Sequence, residues 1–99
     1  MEEEQLLKSG ERINQLFSTD IKIIQNREVF SYSVDSVLLS RFPRFPKNGL
    51  IVDFCAGNGA VGLFASSRTK ARILSVEIQE RLADMAERSV RLNGLEEQM

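Results

Sequence analysis

Asp53, Gly57, Gly59 and Glu77 are the residues of this chain whose types and spacing could do chemistry. In "DFCAGNGAVG", residues 53–62, three glycines (Gly57, Gly59 and Gly62) fall in a G-x-G-x-x-G pattern, and Glu77 follows 20 residues after Gly57. Glycines let a backbone pass close to a ligand, and a helix starting just beyond them offers its N–H groups and dipole. An acid at the tip of the next strand can accept the hydroxyls of a ribose. The pattern suits a nucleoside cofactor, and up to this point a dinucleotide satisfies it as well as any other.

Asp53 separates the two readings. In a dinucleotide fold the position four before the first glycine points into the core, where an unpartnered carboxylate is costly. If the strand instead ends near Phe54 and the loop is longer, Asp53 lies at the carboxyl edge over the ligand crevice. There it can meet a cationic cofactor, directly or through water. S-adenosylmethionine carries an ammonium and a sulfonium, so the D-x-x-x-G-x-G spacing favours it over a dinucleotide or a plain α/β fragment. Gly62 then has no pyrophosphate to cradle and serves close helix–strand packing.

The elements that would position these residues follow from periodicity. "LIVDF" (50–54) has the form of a central strand buried on both faces, and a short helix is expected over about 60–67. "ARILSVEI" (71–78) reads as a second strand. "QERLADMAERSVRLNG" (79–94) reads as a helix with Leu82, Met85, Ala86, Ser89 and Val90 on one face. Asp84–Arg88 and Glu87–Arg91 would pair at i,i+4 on its exposed side, with Gly94 as the stop. Strand, glycine loop, helix, strand, helix is the start of a doubly wound α/β sheet. Upstream, residues 2–17 suggest a weak helix with Ile13, Leu16 and Phe17 on one face, interrupted at Gly10. Ile21 to Ile24 would turn at Asn26–Arg27 into Val29–Tyr32, as a β-hairpin or two short edge strands. A helix with Ser33 as N-cap, Asp35 in its first turn and a stripe of Val34, Val37, Leu38 and Phe42 would end at Pro43 and Pro46. Two parts result: residues 1–47, and residues 48–99 as an incomplete cofactor-binding unit whose open sheet edges would invite self-association.

Composition narrows the chemistry. The 99 residues contain no histidine and one cysteine, Cys55, which removes imidazole chemistry, an intramolecular disulfide and any Cys-x-x-Cys metal site. Cys55 reads as a small buried loop residue, Asn58 as a turn residue and Tyr32 as hairpin packing. No apolar run approaches the ~20 residues of a membrane span, and the acidic N-terminus is unlike a targeting peptide, so a cytoplasmic protein is expected. The net charge of −1 hides a pattern: residues 41–72 hold six cations (Arg41, Arg44, Lys47, Arg68, Lys70, Arg72) against one acid, Asp53. Such a segment either meets a polyanion or keeps loops solvated.

Two stretches in this order, "IKIIQNREVFSYSVDSVLLSRF" and "IVDFCAGNGAVGLFASSRTKARILSVEIQERLADMAERSVRLNGLE", resemble the bacterial tRNA1(Val) adenine-37 N6-methyltransferase family and its close relatives over roughly residues 10–97. The resemblance implies the N-terminal part of a Rossmann-like methyltransferase sheet, preceded by a short helix and hairpin, with S-adenosylmethionine as cofactor and tRNA as substrate of the complete protein. Asp53, Gly57 and Gly59 would form its first cofactor motif, Glu77 would hold the ribose, and Ile78 would pack on the cofactor adenine. Ser33 and Asp35 would close over the methionine end, although a helix N-cap explains both equally well. The family's Asn-Pro-Pro-aromatic signature is missing, since both prolines here follow phenylalanine. This chain is therefore expected to carry a cofactor half-site without catalytic residues, and acceptors such as rRNA guanine or protein glutamine stay open.

Overall fold

The computed structural model describes residues 3–16, 19–26 and 34–99. In chain order they form a 3-10 turn (Glu3–Leu6), β1 (Arg12–Gln15), β2 (Lys22–Gln25), α1 (Val34–Arg41), β3 (Leu50–Phe54), α2 (Ala60–Ser66), β4 (Arg72–Val76) and α3 (Glu80–Leu92). This is an α/β arrangement with two small sheets, β1–β2 antiparallel and β3–β4 parallel.

β2 organises the packing. Its Ile23 and Ile24 point to opposite faces, as successive strand residues must, and both are fully buried. Ile23 joins Leu16, Leu63 and Phe64, whereas Ile24 joins Leu82 and Met85 of α3. One edge of β2 pairs with β1, Ile13 lying opposite Ile24. The other edge is closed by side chains in place of a third strand. Asn93 accepts the Lys22 N–H at 2.7 Å and donates to the Lys22 carbonyl at 2.6 Å. Ser89 Oγ accepts the Ile24 N–H at 2.9 Å.

Several sequence expectations are corrected here. Among the described residues the helix expected over 2–17 is replaced by a 3-10 turn at Glu3–Leu6, a turn at Gly10 with a φ of 79°, and the extended Arg12–Gln15. A short helix is marginal alone, while β1 supplies the backbone partners that buried β2 requires. The hairpin therefore runs from β1 into β2, and the expected return strand Val29–Tyr32 lies outside the described residues. β3 is not buried on both faces. One face of the β3–β4 sheet covers Ile51 and Ile73, but the other leaves Leu50, Val52, Phe54, Leu74 and Val76 exposed. α1 forms as expected, yet of its stripe Val37 packs inward while Leu38 and Phe42 stay exposed.

α3 matches the expected face, with Leu82, Met85, Ala86, Ser89 and Val90 buried. It ends in a Schellman closure: Gly94, at a φ of 66°, donates to Arg91 O, and Leu95 donates to Val90 O. The expected Asp84–Arg88 pair is present at 3.0 Å, but not on an exposed side, because Arg88 is 4% exposed. Its guanidinium grips Glu11 in a bidentate pair, donates to the Leu6 carbonyl at 2.7 Å, and so clamps the N-terminal segment to α3. Lys8 completes the network through Asp84 at 2.9 Å.

Arg88 holds the Glu11 carboxyl below the usual range, and Lys8 does the same for Asp84. A carboxyl whose folded pKa is depressed adds stability above its unfolded value, 4.5 for Glu11, and loses it as pH falls through the folded one. Arg88→Met strands Glu11 without its partner and is expected to cost ~3–5 kcal/mol in urea unfolding at pH 7. The variant should also lose stability less steeply than the parent below pH 4.5, the unfolded value for Glu11. Equal stability of the two proteins at pH 7 would contradict the clamp.

Candidate functional site

The loop between β3 and α2 is shaped by three left-handed residues, Cys55, Gly57 and Gly59, with φ of 59°, 60° and 90°. Glycine is demanded twice over at 59, since a Cβ there would also stand 3.1 Å from Ala86 Cβ of α3. Gly62 likewise lets α2 settle on the sheet, its absent Cβ falling 3.2 Å from Ile73. The loop is pinned on both sides. Ala56 N–H donates to Val76 O at 2.9 Å, and Gly57 N–H donates to Glu77 Oε1 at 2.8 Å. The second Glu77 oxygen accepts Gln79 N–H at 2.8 Å.

Glu77 thus anchors the glycine loop. A carboxylate has about four acceptor sites, so each oxygen retains one for a ligand hydroxyl. Glu77 and Gly57 line a cavity of about 200 Å³ between β4 and α3, with Leu74, Ala83, Glu87 and Val90 among its walls. On the other side of the loop, a second cavity of about 210 Å³ is lined by Asp35 of α1, Asp53 of β3 and the α2 residues Ala60 and Val61. Ala56 lines both. Among the described residues no lysine or arginine stands in either cavity wall, while four carboxylates (Asp35, Asp53, Glu77, Glu87) do line them.

Asp53 is the least satisfied of the four. It sits one residue from the end of β3, half-buried, and its buried Oδ2 has no hydrogen-bond partner. Burial pushes its carboxyl above the usual 3.8. Its cross-strand neighbour Ser75 also has an unpartnered buried Oγ. An ammonium or an ordered water would relieve Asp53, and a phosphate would aggravate it.

Of the expected site residues, Asp53 and Asp35 share one cavity, and Gly57 and Glu77 share the other. Gly59 faces α3 in place of a cavity, and Ile78 is 97% exposed. Ser33 lies outside the described residues, as does Tyr32. Cys55 is exposed, against expectation, because its left-handed backbone turns it out of the loop's packed side. Asn58 does more than shape a turn: it is fully buried and donates Nδ2–H to Ile24 O at 3.2 Å, binding the loop to β2. Glu87 was not foreseen, although its place on α3, one turn beyond the cavity-lining Ala83, is readable from the helical period. Among the described residues no cluster of histidine, cysteine or carboxylate could hold a metal ion, and no helix is long and apolar enough to cross a membrane. No protein-family model and no curated protein matches this chain.

The raised carboxyl of Asp53 carries a signed consequence. Its folded pKa exceeds its unfolded one, so its ionisation leaves stability untouched below 3.8 and reduces it as pH rises toward the folded value. Asp53→Asn is therefore expected to raise the melting temperature at pH 7 by about 2–5 °C, with the gain vanishing in acid. A lower melting temperature at pH 7 would make Asp53 a structural residue.

Proposed function

We propose that this chain is the cofactor-binding part of an S-adenosylmethionine-dependent methyltransferase, with β3–α2–β4–α3 as the opening of a Rossmann-like, doubly wound sheet. The observation that carries the reading is the charge of the two cavities: four carboxylates, no cation among the described residues, and at Asp53 a buried oxygen without a partner. A dinucleotide would bring a pyrophosphate into this acidic surround. A sulfonium cofactor brings positive charge and supplies, when bound, an electrophilic methyl group. In this assignment Asp53 and Asp35 face its cationic methionine end, and Glu77 takes the ribose hydroxyls while holding Gly57. Glu87 stands beside the nucleoside cavity and adds to its rejection of phosphates.

The acceptor follows from the family resemblance: N6 of an adenine in tRNA. No residue of this chain is assigned to the transfer itself, since the sequence has no Asn-Pro pair. The uncovered apolar face of β3 and β4 supports a sheet over which further elements would pack, in the complete enzyme or in a second copy of the chain.

Isothermal calorimetry tests the cofactor. S-adenosylmethionine is expected to bind and NADH is not. Glu77→Ala should weaken the former by ~1.5–3 kcal/mol, because it removes charge-assisted hydrogen bonds to the ribose. Unchanged affinity in that variant, or NADH binding in the parent, would overturn the assignment.

A further inference from the structure

The cofactor reading uses one end of the β3–β4 sheet, and the opposite end carries the opposite charge. Arg41, Arg44, Lys47, Arg68, Lys70 and Arg72, separated by up to 31 positions in sequence, all lie exposed in or beside the loops that precede β3 and β4. The fold locks those two loops together. Arg68 donates to the Ser40 carbonyl at 2.7 Å and lies 5.3 Å above the Phe45 ring. Thr69 Oγ1 donates to Pro46 O at 2.5 Å, and Arg72 N–H donates to Gly49 O at 2.8 Å. Between the loops lies an open groove of about 540 Å³, in which Lys47, Arg68 and Lys70 stand with the neutral hydrogen-bonding side chains of Asn48, Ser66 and Ser67. Among the described residues no carboxylate lines it. None of the six cations takes part in the ion pairs seen among the described residues at Lys8, Glu11, Asp84 and Arg88.

We propose that this groove is a docking surface for the phosphodiester backbone of RNA. Exposed cations around a concavity concentrate a polyanion, and the Asn48 amide between them can donate to a phosphate oxygen, whereas the Ser66 and Ser67 hydroxyls already donate to Leu63 O and Phe64 O. The choice of RNA among polyanions rests on the methyl-transfer reading; the groove's affinity for a phosphate backbone does not. The five residues of β3, at about 3.3 Å each, set the groove roughly 16 Å from the acidic cavities. That separation assigns the ends different parts of one ligand. The backbone is held at the basic end and repelled from the acidic end, which an uncharged base can still approach.

The test is fluorescence anisotropy of a labelled single-stranded RNA across a potassium chloride series, with no cofactor present. Each neutralised phosphate contributes a log–log slope of about −0.7, so four contacts give about −3. Replacing both Lys47 and Lys70 by glutamine should weaken binding at least tenfold and flatten the slope by about 1.4. Arg81→Gln, an exposed cation on α3, should leave binding unchanged. Absence of RNA binding at low salt, an unaltered slope in the double variant, or equal competition by polyglutamate or phosphatidylglycerol vesicles would overturn the proposal. Calorimetry with S-adenosylmethionine on the same double variant separates the two readings. Lost RNA binding with intact cofactor binding supports the groove, and RNA binding by a parent that ignores the cofactor overturns the methyl-transfer reading alone.

Discussion

The hydrogen bond from the Gly57 amide to the Glu77 carboxylate is the contact on which the arrangement of the site depends. It joins the loop after β3 to the residue after β4, across a parallel pair whose ladder ends at Phe54 and Val76. With that joint fixed, Gly59 lies against Ala86 and Asn58 turns inward to Ile24. The glycine loop is then a partition with one acidic cavity on each side. A larger residue at 59 would push the loop off α3, and with it the anchor that Asn58 provides for β2.

The N-terminal clamp and the candidate site differ in how well their polar groups are satisfied. The N-terminal segment is secured by a buried arginine with several acceptors, an arrangement whose partners satisfy one another. At the site the reverse holds, since Asp53 and Ser75 each bury an oxygen with no partner. Unsatisfied groups of this kind cost free energy that a ligand can return on binding. Charge is likewise sorted along the strands, with acids at their carboxyl ends and cations at their amino ends. Parallel strands make such sorting simple, because both β3 and β4 begin at one edge of the sheet and end at the other.

The second half of the chain was legible because its signals are local. The LIVDF and ARILSVEI runs, the glycines between them and the α3 stripe each fix an element without reference to distant residues. Gly62 and Gly94 also act as their positions in the sequence suggested. The first half was misread where tertiary partners decide. β1 forms because β2 needs an edge partner, and Arg88 is buried because Glu11, 77 positions away, comes to meet it. Neither fact has a local signature. β3 looked like a strand buried on both faces because its apolar run records what it can bury, whereas the chain covers one face. Spacing singled out Asp53, Gly57 and Glu77, which line the two cavities of the candidate site. The burial of Asn58 and the inclusion of Glu87 depend on how α3 lies against the loop.

The most direct test of a sulfonium cofactor on this loop is an amide NMR titration of the chain, first with S-adenosylmethionine and then with NAD. Binding as described predicts saturable shifts for the amides of Gly57, Gly59 and Glu77 and for the Asp35 and Asp53 side of the loop with the former. The dinucleotide should produce none. Shifts confined to other parts of the chain, or equal shifts with both compounds, would contradict a cofactor site built around Asp53 and Glu77.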